Sequence, residues 1–576
     1  MASRITTYII VFIVAGTLVA GLIVGAQRDE LNGPVDLIIT NGRVYTAHDA
    51  AFAEAVALRG NTILRVGSNR DIKRLRRPQT TMIDAHGASV LPGFNDSHAH
   101  LLSGGLSLAH LDLLGATTLD QIQRAIAEYA DAHPDRPWVR GRGWYYEPFA
   151  GGLPTRQQLD QLVGDRPAFI TAYDGHTGWA NTRALAAAGI TAGTPDPPNG
   201  TIVRDRRTGE PTGALKESAM RLVSDVLPAV TREDRLAGLR RAIALAHTFG
   251  VTSVQNAGGS VEDFALYDEL RRLGELDLRV YNAISASAGL TDRDLAVFEA
   301  TRAAFADDPV LKAGAVKLML DGVVESHTAA MLGPYANRQG TGQLSFTQAE
   351  LDRVVALLDA RGWQVFVHAI GDRAIRSALD AFERAAHANP PPARGRRHRV
   401  EHIETIHPAD VARFGALGVI ASQQPYHGSP APNQIQVWKT NLGELRAGRA
   451  WAYNSLRAGG APLAFGSDWP VVPLDPRLGL HVASTRTAPD GLPAGGWIPD
   501  ERLTMTQAVD AYTTGGAWAS FDEQRKGTLE AGMLADIVVL TSDIFAPDAR
   551  VLDTQVALTI FNGRIVFDRE QPERTE

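Results

Sequence analysis

The sequence predicts an α/β protein: a TIM-like (β/α)8 barrel with a small β-sandwich domain built from both chain ends, preceded by an N-terminal transmembrane or signal segment. Three observations point there. Helix-then-strand units repeat through the middle of the chain, and so many of them favour a closed parallel barrel. Short alternating strands with Asn-Gly turns occupy both ends. The chain has 576 residues, 44% of them hydrophobic, which leaves room for a barrel of roughly 250 residues or more and a smaller partner.

The elements follow in order. Residues 1–30 contain an uncharged stretch from Ile5 to Gln27. About 18 apolar residues suffice to span a bilayer, so this stretch reads as an anchor, with cleavage as a signal the alternative at Val24-Gly25-Ala26. Arg4 lies before it and Arg28 is offset by Asp29 and Glu30, a bias that places the remainder outside the cytoplasm. Residues 31–91 and 521–576 supply the sandwich, and "TNGRVYT" at 40–46 echoes "FNGRIVF" at 561–567. Residues 92–520 are assigned to the barrel. Within it, "TREDRLAGLRRAIALAHTFG" runs from a Thr cap through an acidic first turn to Gly250 and leads into "VTSVQNAGG". "FTQAELDRVVALLDARG" sets Thr347 and Glu350 at capping-box spacing, with Leu351, Val354, Val355 and Leu358 on one face, and leads into "WQVFVHAIGD". Residues of about 105–230, rich in Gly, Pro and aromatics, fit the alternation poorly and read as an insertion that covers the site.

Composition narrows the function classes. The formal net charge of −7, with only a short basic cluster at Lys73, Arg74, Arg76 and Arg77, gives no nucleic-acid footprint. There is no cysteine, which excludes disulfides, thiolate metal sites and a cysteine nucleophile. The oligomeric state is left open.

The chemistry begins at "LPGFNDSHAH", Leu91 to His100. In a strand, His98 and His100 share a face because side chains alternate with period two. Later apolar runs each end in a polar residue: Lys317 after "AGAV", His368 after "WQVFV", His402 after "HRVE" and Asp468 after "LAFGS". Strand ends of a barrel meet at one face, where such enzymes do their chemistry. Four histidines and an aspartate there form a natural N/O ligand set for zinc, with manganese or iron as alternatives.

This pattern resembles the metal-dependent amidohydrolase superfamily, in its family 3 branch of YtcJ-like and N-substituted formamide deformylase-like enzymes. The motifs are "LPGFNDSHAH", "DGHTGWANTRAL", "VKLMLDGVVESHTAAML", "VHAIGD", "EHIE", "GSDWPV" and "KGTLEAGMLADIVVL". They run in order through nearly everything after the N-terminal segment. The resemblance implies that His98 and His100 are the first-strand ligand pair, and that His368 and His402 are the ligands of strands five and six. It implies a strand-four Lys317 that is carboxylated and bridges two ions. An unmodified ammonium has only donors; as a rim lysine, solvated or paired with Asp321, it would leave one ion. Asp468 is implied to be a ligand and the general acid/base. His176 is placed near the substrate. His327 stands where relatives carry arginine, so it too is assigned to substrate.

The expected activity is hydrolysis of non-peptide, amide-like carbon–nitrogen bonds in a small molecule, by metal-activated water with Asp468 moving the proton. Esterase, lactonase or phosphotriesterase chemistry and a non-catalytic binding role are the alternatives. Glu401, Glu404, Asp96 and Asp372 are candidates for orienting the imidazoles. Trp144 is assigned to substrate, within an expected apolar pocket of Trp144, Tyr145, Tyr146, Trp179 and Trp469.

Overall fold

A computed structural model describes residues 34–571 apart from Asp174 and Asn199, with the side chains of Asn433 and Gln434 also outside the description. The segment expected at residues 1–30 lies outside the described residues. Among the described residues no helix is long and apolar enough to cross a membrane.

Eight parallel strands form the central sheet in chain order: Phe94–Ala99, Val251–Gly259, Arg279–Ala286, Leu311–Met319, Gln364–Ala369, Arg399–His402, Ile420–Gln423 and Leu463–Phe465. They are barrel strands one to eight. Closure is made just beyond the eighth strand. Ala99 bridges to Trp469 in parallel, the Asp468 amide donates to the His98 carbonyl at 2.6 Å, and the His100 amide donates to the Trp469 carbonyl at 2.7 Å. Gly466 permits this approach, since a Cβ there would meet the His98 nitrogen at 2.4 Å.

The helices between strands start where their caps dictate. Thr231, Ser260, Thr291 and Thr347 each close a capping box, satisfying amide donors that the first helical turn leaves open. The apolar stripe of Leu351, Val354, Val355 and Leu358 is buried as its spacing requires.

The two chain ends share one small β unit. A four-stranded sheet (Thr62–Gly67, Ala55–Arg59, Leu37–Thr40, Thr81–Asp84) and a six-stranded one (Arg564–Asp568, Val556–Phe561, Ile537–Leu540, Ser89–Pro92, Arg43–Tyr45, Phe52–Ala53) meet over Ile39, Val56, Val90, Ile537 and Ile560. The echoed Asn-Gly pairs differ. Asn562 and Gly563 both have positive φ, at 52° and 79°, which suits a two-residue hairpin turn whose twist matches its strands. Of the earlier pair only Asn41 is left-handed.

The stretch from 105 to 230 is an ordered unit in its own right. It forms a mixed six-stranded sheet, ordered Gly200–Arg204, Pro211–Glu217, Thr177–Ala180, Ala168–Ala172, Val139–Trp144, Leu111–Asp112. One apolar cluster gathers Ile126, Trp144, Leu159 and Trp179, and another gathers Phe169, Leu185, Leu215 and Val223.

Candidate metal centre

The period-two argument for His98 and His100 has a direct geometric counterpart. Their Nε2 atoms lie 3.4 and 3.1 Å from one oxygen, Oδ1 of Asp468. His402, at the end of strand six, brings Nδ1 to 3.9 Å from the other oxygen, Oδ2. His368 ends strand five, with its ring centroid 4.5 Å from that of His402. These residues and Lys317 line one cavity of about 310 Å³ at the strand ends.

The site departs from relaxed backbone at two of its residues. His402 and Asp468 have φ of +74° and +65°. Non-glycine residues there cost on the order of 1–3 kcal/mol each and persist where surrounding contacts over-determine them. Asp96 supplies such contacts. Its carboxylate accepts from the His98 amide at 3.0 Å, the Ser467 amide at 3.0 Å and the Ser467 hydroxyl at 2.5 Å, tying strand one to the turn that carries Asp468.

Each charge state has a visible cause. Burial pushes the His98 imidazolium down to about 4 and His368 to about 3, and holds His402 well below the ordinary histidine range. Burial opposes the Asp468 carboxylate, but His98, His100 and His402 outweigh it and keep Asp468 ionised. The His98, His368 and His402 imidazoles are therefore neutral near pH 7. Glu401 sits 2.6 Å from His98 Nδ1. Burial opposes its charge, and Arg399 and His98 outweigh the burial. A carboxylate only accepts, so His98 Nδ1 carries the proton and Nε2 presents its lone pair to the cavity.

These residues fit a divalent ion. His98 Nε2, His402 Nδ1, His427 Nε2 and Asp468 Oδ1 are all buried without a hydrogen-bond partner. Buried polar atoms are otherwise almost always paired. Among the described residues, His98, His100 and Asp468 offer ligand atoms all within 4.8 Å of one another. Lys317 is 3% exposed, and burial brings its ammonium down to about 8. It is not a rim lysine paired with Asp321. The Asp321 carboxylate is taken by the amides of Ala330, Ile370 and Gly371 at 2.8–3.0 Å.

His176 lines the same cavity, projected from the insertion with Nδ1 2.9 Å from Glu217. Tyr145, Tyr173 and Leu114 accompany it, so the insertion does roof the site. Two assignments to substrate are corrected. Trp144 is fully buried within the insertion, edge-on to Phe149 and Trp179, with Nε1 donating to the Ile170 carbonyl at 3.0 Å. The strand register shifts between Arg142 and Trp144, which turns Tyr145 toward the cavity instead. His327 is not among the cavity's lining residues. Its Nε2 pairs with Asn337 at 3.0 Å and its ring packs edge-on to Tyr335. Of the remaining expected pocket aromatics, Trp179 is fully buried in the insertion, Trp469 packs over Gly104, and the Tyr146 hydroxyl donates to Thr177.

Among the orienting candidates, Glu401 touches an imidazole side chain and Asp96 the His98 backbone. Asp372 accepts from the Leu332 amide at 2.7 Å, fixing a loop. Glu404 accepts from Trp438 Nε1 at 2.7 Å and faces the cavity. Burial, then the carboxylate of Glu325, push Glu404 well above the ordinary carboxylate range. Two functional residues escaped the sequence reading. His427, in the turn Pro425–Gly428 after strand seven, places Nε2 3.5 Å from Asp468 Oδ2. Glu325 lies in the loop after strand four.

Comparison with known proteins agrees with this centre. Residues 81–567 match the model of the amidohydrolase family. The putative amidohydrolase YtcJ of Bacillus subtilis is 31% identical over 540 residues, covering 92% of this chain and 98% of that protein. The N-substituted formamide deformylase of Arthrobacter pascens is 26% identical over 551 residues, covering 93% and 98%. A crystal structure of an uncharacterized metal-dependent hydrolase from Pyrococcus horikoshii superposes with a TM-score of 0.70 at 25% identity, covering 89% of this chain and 99% of that one. With its barrel, its N/O ligand set suited to a divalent metal and a family match along most of its length, the chain belongs to the amidohydrolase family.

Proposed function

We propose that the protein hydrolyses a non-peptide carbon–nitrogen bond of a small amide, with Asp468 as general acid/base and zinc as the resident ion. The observation that carries this reading is the position of Asp468. It is ionised, buried among His98, His100, His402 and His427, with Oδ1 unpartnered at the cavity floor. The 26%-identical N-substituted formamide deformylase supports the choice of an amide-like bond.

A divalent ion bound here supplies Lewis acidity, polarising a carbonyl and lowering the pKa of water from 15.7 to about 7. The chain's own residues do the rest. His98 and His100 hold the ion's position through lone pairs that Glu401 and the strand ends orient, joined by His402 and His368. Asp468 takes a proton from the attacking water and delivers it to the leaving nitrogen, which departs as an amine. His176, Tyr145 and Tyr173 exclude bulk water from above. Lys317, with its ammonium drawn down to about 8 by burial, holds enough neutral amine near pH 7 to take up carbon dioxide. Carbon dioxide would add to that nitrogen with release of its proton, and the resulting carbamate would offer oxygens able to hold a second ion. The uncharged stretch Ile5–Gln27 anchors the chain to a membrane with the catalytic part outside the cytoplasm.

The test is amine release by the full chain from N-formyl, N-acetyl and cyclic amides, with esters, lactones and phosphotriesters alongside, under added zinc or manganese. Metal-dependent amine release that Asp468→Asn abolishes is expected. Turnover confined to the oxygen esters would replace the amide reading with ester hydrolysis. Bound metal without any turnover would favour a binding role.

A further inference from the structure

One wall of the cavity has a chemistry the hydrolytic reading does not use. The loop of residues 320–346 brings Glu325 to it, and the turn after strand six brings Glu404. Both carboxylates face one cavity. The phenol rings of Tyr145, Tyr173 and Tyr426 line the same cavity, the first two with centroids 5.0 Å apart. No arginine is among the described lining residues, and Lys317 sits at the metal end. Carboxylates and aromatic rings lining one cavity suit an ammonium ion, which the acids pair with and the rings attract. An anionic substrate finds no partner on that wall.

The acidic wall is built in place. Glu404 is 5% exposed and anchored by Trp438 Nε1. The backbone carbonyls of Val324 and Glu325 both accept from Asn441 Nδ2, at 2.9 and 3.1 Å, and Asn441 Oδ1 accepts from Asn337. His327 completes that chain through Asn337, so it positions the loop that presents Glu325. His427 spans the two functions, with Nε2 3.5 Å from Asp468 and Nδ1 4.0 Å from Glu404. Its Nε2, like Nδ1 of the 4%-exposed His402, is buried and unpartnered at the cavity.

Resting on the proposed amide hydrolysis, we propose that the substrate is an amide of a diamine, whose free protonated amine is held by Glu325 and Glu404 while its acylated nitrogen faces Asp468. Glu404 and Asp468 lie against the two nitrogens of one imidazole, that of His427, so a linker of a few methylenes joins the two nitrogens of the substrate. Hydrolysis breaks the acyl carbon–nitrogen bond and adds the elements of water. A carboxylic acid and the diamine leave, and the proton on the new amine comes through Asp468.

Two measurements on the full chain test this separately from the bond reading. Calorimetry compares butylamine, which carries an ammonium, against butan-1-ol, which does not. Kinetics compare N-acetyl-diaminobutane with N-butylacetamide. The amine is expected to bind about 30-fold more tightly than the alcohol, the value of one charge-assisted contact of about 2 kcal/mol. The kcat/KM ratio of the two acetamides is expected to match, with Glu325→Gln collapsing both preferences. Asn441→Ala, which removes only the loop's anchor, is expected to weaken both preferences. Equal binding of the amine and the alcohol overturns the proposal, whether or not the acetamides are cleaved. Selective amine binding with neither acetamide cleaved leaves the ammonium site standing and sinks the amide reading alone.

Discussion

The two ends of the barrel bury charge in opposite ways. At the N-terminal ends of the strands, Lys312 sits 2.6 Å from Asp522 and donates to the Ser520 carbonyl, while Lys526 donates to Ser253 at 2.9 Å. Arg279 grips Asp536 through two nitrogens at 2.5 and 2.9 Å, and Arg397 does the same to Glu523 at 2.6 and 2.8 Å. At the C-terminal ends, His98, His402, His427 and Asp468 each leave a buried atom with no partner. An unpaired buried polar group costs on the order of 1–3 kcal/mol. One end has met that cost with partners inside the chain, and the other leaves it for something that binds. Closed pairing marks stability and open pairing marks chemistry.

The largest effect separates the two ends outright. Asp468→Asn is expected to lower kcat by about 10²–10⁴-fold, the range of a lost general acid/base. Its thermal midpoint should stay within a few degrees of the parent. Asp522→Asn does the reverse, leaving Lys312 and Lys526 buried without their counter-charge. A loss of about 3 kcal/mol in denaturant unfolding follows, with kcat of the folded fraction unchanged. Should Asp468→Asn unfold the protein as readily as Asp522→Asn, the open end would be structural and the contrast would fail.

A middle-sized effect sharpens the role of Glu401, which is as deeply buried as the paired acids below yet serves an open site. Glu401→Gln removes the anion that fixes the His98 Nδ1 proton. Metal affinity should fall about 10–100-fold, read by competition with a chromogenic chelator. Excess zinc should then restore most of the activity. Lost activity that metal cannot rescue would place Glu401 in the chemistry itself.

The contrast also explains what could be read from the sequence. His98, His100, Lys317, His368 and His402 were legible because each lies on or closes an apolar strand, and barrel topology carries strand ends to one place. Asp468 was legible for the same reason, three residues beyond strand eight. His427 was not, because it lies in a turn beyond strand seven, where no period marks it. "ASQQPYH" does hold the signal of a strand followed by a histidine, but only the barrel shows that this turn reaches Asp468. Glu325 lies in residues 320–346, which contain no helix or strand and so no periodicity. Of the expected pocket aromatics Tyr145 does line the cavity, whereas Trp144, beside a register shift at Arg142–Trp144, is buried in the insertion. The repeating barrel units were readable from helix caps and apolar runs. The insertion's sheet was not, since its strands include the two-residue Leu111–Asp112 and the glycine-interrupted Val139–Trp144, too short or too broken to show a period. The paired charges of the lower end were equally silent, because Lys312 reaches Asp522, the local partner of Lys526, only through the closure of the fold.

The smallest predicted effect concerns that lower end and depends on its sign. Burial lowers the Lys526 ammonium from 10.5 to about 8, with Asp522 partly offsetting it. The unfolded lysine keeps its proton up to the ordinary value, whereas the folded one releases it near pH 8. Between those two values the unfolded chain binds more protons, so stability attributable to this residue rises with pH. The burial cost is fully present below pH 8 and is relieved as the pH approaches 10.5. Lys526→Met removes the titration and should flatten the curve by about 1 kcal/mol per pH unit in the lower part of that window. Denaturant midpoints of the two proteins at pH 8 and pH 9 measure it. Parallel curves would mean that Lys526 keeps its charge while buried, its pairing with Asp522 outweighing desolvation. The lower end would then be closed more firmly than its geometry implies, and the difference between the two ends would be larger still.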